Sequence, residues 1–269
     1  MYPKINCHCH VYPDKIAVKA AQATGNFYNI EMAYDGTIST CKQEGEKVGV
    51  IHSIIFSVAT TPKQVRSINE FIANTVESEP DIFTGLGTMH PESDDLEADI
   101  VHLKELGLKG VKLHPEIQGF YINDPRCLRI YELCVKYGLP IFLHTGDERY
   151  DMSNPNRLKP ILEDHPDLTV IAAHLGGYTV WEDAARELRG YENLYVDASS
   201  SLAFLTSERA REIILAFGTD RVLWGTDYPM WKFADEVKLF EALGLEDEDK
   251  VKIYYKNAQK LFGVTLKSV

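Results

Sequence analysis

His8 and His10, in the run Ile5-Asn6-Cys7-His8-Cys9-His10-Val11, are two imidazoles two residues apart. Side chains on a β-strand repeat every second residue, so both histidines point to one side and Cys7 and Cys9 to the other. Two imidazoles presented from one face are half of a metal site. Other donors stand at the ends of short apolar runs. Lys112 and His114 share a face of 111–115, His144 closes 141–144, His174 closes 171–174, and Asp227 follows 221–225. Imidazoles with one carboxylate are borderline donors suited to zinc and neighbouring divalent metals. A structural zinc knot through Cys7 and Cys9 would need a second Cys or His pair at zinc-finger spacing, and none follows. His52 and His102 stand away from such ends and read as hydrogen-bonded structural residues.

Bringing these residues together is a task for parallel strands. Apolar runs occupy 4–9, 50–57, 82–88, 110–113, 140–144, 168–174, 193–197 and 221–225. Amphipathic, helix-spaced stretches separate them at 62–78, 94–106, 124–137, 155–164, 180–189 and 207–217. Strands alternating with helices imply βαβ units, and eight units in 269 residues suit an α/β fold of the (β/α)₈ TIM-like barrel type. The competing arrangement is an open doubly wound sheet. Against it, no glycine-rich phosphate loop follows the first strand. In a barrel the active groups gather where the strands end, which is where these donors stand. No composition break marks a linker, so residues 1–269 read as one domain. The segment 12–48 exceeds one crossover; it holds a helix at 13–23 and an aromatic stretch at 25–36, and reads as an excursion covering the substrate.

Composition narrows the function classes. The net charge is −12, which argues against nucleic acid as a partner, since phosphate contacts need a basic surface. No apolar run approaches a membrane span, and the first residues lack the pattern of a secretory signal. With five cysteines and no signal, reduced thiols in a cytoplasmic protein are expected.

The quoted runs, together with GVKLHPEIQGF at 110–120, LPIFLHTG at 139–146, AAHLGG at 172–177 and WGTDYP at 224–229, resemble the amidohydrolase superfamily. The likeness is to the amidohydrolase-related group that includes aminocarboxymuconate semialdehyde decarboxylase-like enzymes. The pieces fall in the family's order along nearly the whole chain. The resemblance implies a distorted (β/α)₈ barrel with one divalent ion, usually Zn2+ with Mn2+ as the alternative, held by His8, His10, His144 and Asp227. It also implies that His174 is a catalytic histidine beside it. One departure is Asn6, where the family commonly carries aspartate.

Two chemistries suit this ligand set. The first is hydrolysis of an amide, cyclic amide or lactone of a small molecule, with Asp227 taking a proton from a water made acidic by the metal. The alternative is non-oxidative decarboxylation of an unsaturated or aromatic carboxylic acid. A third reading, a barrel that binds a ligand without catalysis, sits poorly with the complete ligand set. Lys112 also permits a binuclear site, in which a carboxylated lysine bridges two ions and His144 and His174 hold the second. Lys112, His114, Arg149 and Tyr228 are candidates for contacting substrate. Arg149 and Arg157 are cations able to meet a carboxylate. Aromatic loop residues such as Tyr150 and Trp231 could instead serve contacts in a homo-oligomer.

Overall fold

Every one of the eight apolar runs forms strand structure in the computed structural model, which describes residues 2–265. The strands are β1 (Lys4–His10), β2 (Val50–Phe56), β3 (Phe83–Gly85), β4 (Gly87–Thr88), β5 (Val111–Leu113), β6 (Ile141–Leu143), β7 (Val170–Ala172), β8 (Leu194–Asp197) and β9 (Val222–Leu223). All neighbouring pairs are parallel, in the orders β1-β2-β3 and β4-β5-β6-β7-β8-β9. The run 82–88 changes partner midway. Leu86 N donates to Ile55 O, and Gly87 N donates to Gly110 O, so β3 and β4 together act as one stave. The other seam closes through Cys7 N to Trp224 O at 3.0 Å and His10 N to Tyr228 O at 2.8 Å. The result is the expected eight-stave α/β barrel.

Two apolar layers follow from strand alternation. Ile54, Phe142, Ile171 and Leu223 form an inner cluster, while their neighbours Ile55, Leu143, Val170 and Trp224 pack outward with the helices. β1 breaks the alternation. Its register against β2 slips between Asn6 and Cys9, a β-bulge. Cys7 therefore joins the inner cluster and Cys9 the outer one. Strict alternation puts both cysteines on one side of the strand, whereas the bulge places them in different layers. All five cysteines are free and buried.

The amphipathic stretches become helices within a few residues of their expected ends, for example Leu96–Glu105, Pro125–Tyr137 and Ser207–Phe217. The segment after β1 differs. Its first helix runs Ala17–Tyr28, beyond the expected 13–23 and through Gly25, because Gly25 lets the chain pass close to Ile30 O. A second helix, Ile38–Lys47, capped by Thr37, is the crossover to β2. Its apolar signal is thin, with only Cys41 and Gly45 buried, so hydrophobic spacing does not reveal it. Among the described residues no helix is long and apolar enough to cross a membrane.

Candidate metal centre

At the C-terminal end of β1, His8 Nε2 lies 3.2 Å from His10 Nε2 and 3.2 Å from Asp227 Oδ1. His10 Nε2 is 3.8 Å from the same oxygen. A tetrahedral ion with bonds of about 2.1 Å sets its ligands roughly 3.4 Å apart, so three donors at these separations fit a divalent metal. The protonation pattern strengthens the fit. His8 Nδ1 faces Asp197 Oδ2 at 3.1 Å, which places the ring proton there and leaves the Nε2 lone pair toward the cluster. His174 Nδ1 donates to Ser199 O at 3.1 Å, and His144 Nε2 donates to Gly146 O at 3.1 Å. Their other nitrogens, His174 Nε2 and His144 Nδ1, face each other at 3.0 Å with no proton assigned between them. Lone pairs aimed at one another call for a cation. Burial also holds the His8, His10 and His144 imidazoles well below their usual pKa, in the neutral form that binds metals.

The backbone is bent to bring these groups in. His174 and Asp227 adopt φ of 58° and 51°, and Ser200 adopts 49°, in the left-handed region that side chains seldom occupy. Ser200 Oγ donates to Asp227 Oδ2 at 2.6 Å and accepts from Trp231 Nε1 at 2.8 Å. Asn6 joins β1 to the Asp227 loop. Its Oδ1 accepts from His8 N at 3.3 Å and Thr226 N at 3.0 Å, and its Nδ2 donates to Thr226 Oγ1 at 2.7 Å. The neutral amide thus does positional work. Gly146 has φ +77°, and a side chain there would meet the Gly177 backbone at 2.6 Å.

His8 and His174 rings stack with centroids 5.1 Å apart, linking the first donor group to the pair from β6 and β7. His114 stacks on His144 at 4.0 Å. Beyond them lie Glu116 and Tyr28. Tyr28 Oη is 2.8 Å from His114 Nε2 and 3.3 Å from His144 Nε2. Among the described residues, buried Glu116 Oε2 has no hydrogen-bond partner; it lies 3.6 Å from His114 Nδ1 and 3.8 Å from His144 Nε2. Burial pushes the Glu116 carboxyl up to about 7. Lys112 Nζ lies 3.5 Å from His8 Nε2 and 4.2 Å over the Phe142 ring, and burial lowers its pKa to about 8.

Two expected substrate contacts point elsewhere. Arg149 is engaged by Asp147 through Nε at 2.9 Å and Nη2 at 2.6 Å, and donates to Phe27 O at 2.8 Å. Tyr228 is fully buried and donates to Thr37 O at 2.7 Å. Neither lines the cavity above the donors. Arg157 is likewise taken up, by Asp151 and Asn123. Tyr28 comes from the aromatic stretch 25–36 of the expected excursion, whereas Asp197 and Glu116 are not singled out by the sequence; of these two only Asp197 carries a signal, since it closes the apolar run 193–197.

The amidohydrolase family model matches residues 5–264. The gamma-resorcylate decarboxylase of Polaromonas sp. is 23% identical over 252 residues, covering 73% of this chain and 75% of that protein. Among solved structures, a dihydroxybenzoic acid decarboxylase from Polaromonas sp., with bound manganese and the inhibitor 2-nitroresorcinol, aligns with a TM-score of 0.74 at 18% identity. That alignment covers 98% of each chain. A putative 2-pyrone-4,6-dicarboxylic acid hydrolase from Pseudomonas putida aligns with a TM-score of 0.71 at 18% identity, covering 99% of this chain and 100% of that one.

Proposed function

Because this chain belongs to the amidohydrolase family, we propose that it is a metal-dependent, non-oxidative decarboxylase of a small aromatic or unsaturated carboxylic acid. The observation that carries this reading is the trio of His8 Nε2, His10 Nε2 and Asp227 Oδ1, with the facing imidazoles of His144 and His174 nearby, beside a cavity walled by Phe27, Tyr28 and Tyr178. Hydrolysis came first from the sequence. Decarboxylation moves ahead because the gamma-resorcylate decarboxylase match extends over about three quarters of both chains.

His8, His10, His144 and Asp227 hold the ion in this reading, and the fold lets manganese be tested beside zinc. When bound, the ion supplies positive charge that fixes and polarises the substrate carboxylate. The aromatic walls orient a planar ring. Asp227, oriented by the Ser200 hydroxyl that donates to its Oδ2, relays a proton taken up from solvent water to the carbon that loses the carboxylate. The bond between that carbon and the carboxyl carbon breaks, its electron pair stays on the ring or alkene carbon, and CO₂ leaves. His174, which donates through Nδ1 to Ser199 O, accepts a hydrogen bond from a substrate hydroxyl at Nε2. The helix Ala17–Tyr28 covers the bound substrate.

The test is a panel of hydroxybenzoic acids, unsaturated acids, lactones and cyclic amides offered to protein loaded with manganese or zinc. Released CO₂ and hydrolytic products are measured separately. CO₂ matching the loss of an acid supports the reading; ring opening of a lactone or amide without CO₂ restores hydrolysis.

A further inference from the structure

The cavity above the donors has a volume of about 560 Å³ and two unlike ends. Its floor carries His10, His114, Glu116, His144, His174 and Asp227. From there an apolar arm opens toward solvent, lined by Ile16, by Ala20, Ala23 and Phe27 of the helix Ala17–Tyr28, and by Ile68 and Phe71 of the helix Val65–Ser78. The polar residues beside the arm are uncharged. Gln64 is already occupied, its Oε1 accepting from Thr60 N at 2.8 Å and Thr61 N at 3.1 Å. A cavity of about 150 Å³ holds a benzene molecule, so this one leaves space well beyond a single ring.

Charge narrows the occupant further. Among the described residues, no lysine or arginine lines the cavity. Lys112 lies against His8 at the floor, where the ion belongs, and the Arg149 guanidinium is held by Asp147. The charged residues that do line it, Glu116 and Asp227, are acids. A second anionic group on the substrate would meet no lining cation and would lie in the same cavity as two acids, which disfavours it.

We propose that the substrate is a monocarboxylic acid whose one negative charge sits at the metal and whose far side bears a neutral, apolar substituent several carbons long, seated in the arm between Phe27 and Phe71. This inference rests on the decarboxylase reading for its chemistry, but on the cavity alone for the shape and charge of its ligand.

The experiment uses manganese-loaded protein and a series of hydroxybenzoic acids bearing hydrogen, methyl, propyl or pentyl opposite the carboxyl group, plus one bearing a second carboxylate there. Binding is followed by calorimetry and CO₂ release by kcat and KM. Dissociation constants should fall by up to about fourfold per buried methylene until the arm is full. The dicarboxylate should bind at least tenfold more weakly than the methyl compound. In Ile68→Asp, and separately in Ile68→Trp, the ratio of pentyl to unsubstituted affinity should drop toward one. The second variant fills the arm without adding charge, so the two together separate lost packing from misfolding. Equal affinity along the series, or preference for the dicarboxylate, overturns the inference while CO₂ release leaves the decarboxylase reading standing. Tighter binding of the alkyl acids without CO₂ has the reverse meaning. If no acid binds, both fall.

Discussion

At the scale of single residues, the site depends on who holds each ring proton. Asp197 fixes the His8 tautomer through Nδ1. Asp197→Ala should therefore weaken metal binding by about 10- to 100-fold, read by competition with a metal indicator. Unchanged affinity would remove Asp197 from the account. Asp227→Asn, assayed with its metal content restored in excess metal, should lose turnover by about a thousandfold. Substantial activity in that metal-loaded variant would show that another group moves the proton. Glu236 tests the electrostatics outside the donor set. It is buried, its Oε2 has no hydrogen-bond partner among the described residues, and burial followed by the charges of Asp227 and Asp197 pushes its pKa well above the usual value. A raised folded pKa means that the native state binds the proton more tightly than the unfolded chain. Stability from this group is then full below the unfolded value and falls as pH rises toward the folded one. Glu236→Gln should thus gain on the order of 1 kcal/mol at pH 8 in urea unfolding, and nothing at pH 4. An equal effect at both pH values would refute this reading. His8, His10, His144, His174 and Asp227 were legible because each closes, or closely follows, an apolar run. Asp197 has the same position and was overlooked for want of a visible partner. The directions of Arg149 and Tyr228 were not legible, because loop composition does not say which way a side chain turns.

At the scale of elements, the helix Ala17–Tyr28 links fold to chemistry. It carries Tyr28 onto His114 and His144 and supplies one wall of the cavity. What fixes its C-terminal end is Arg149, which bonds Phe27 O and lies 5.0 to 5.2 Å from the Phe27, Tyr28 and Tyr150 ring centroids. Arg149→Ala should loosen this end, raising KM several-fold while kcat changes less; a kcat loss with KM unchanged would contradict a positioning role. The helix's existence was readable from its pattern, but its length was not. Gly25 lies inside the helix, at a point where a side chain would meet Ile30 O at 2.6 Å. The bulge in β1 was equally hidden, because register depends on the partner strand rather than on local sequence.

At the scale of the whole molecule, barrel closure makes four separated segments into one site. β1 supplies two histidines, β6 and β7 supply His144 and His174 from their ends, and the loop after β9 supplies Asp227. Strand–helix alternation made this architecture legible, since each parallel strand is buried on both faces and reads as a short apolar run. The reaction was not legible, because hydrolysis and decarboxylation use the same donors. The most direct test offers a carboxyl-¹³C-labelled hydroxybenzoic acid to manganese-loaded protein in D₂O. The account predicts labelled CO₂ with one deuterium on the carbon that lost it, and neither product from a His8→Ala/His10→Ala variant stripped of metal. Equal CO₂ release from that variant, or hydrolysis of a lactone by the loaded protein with no CO₂ from any acid, would contradict it.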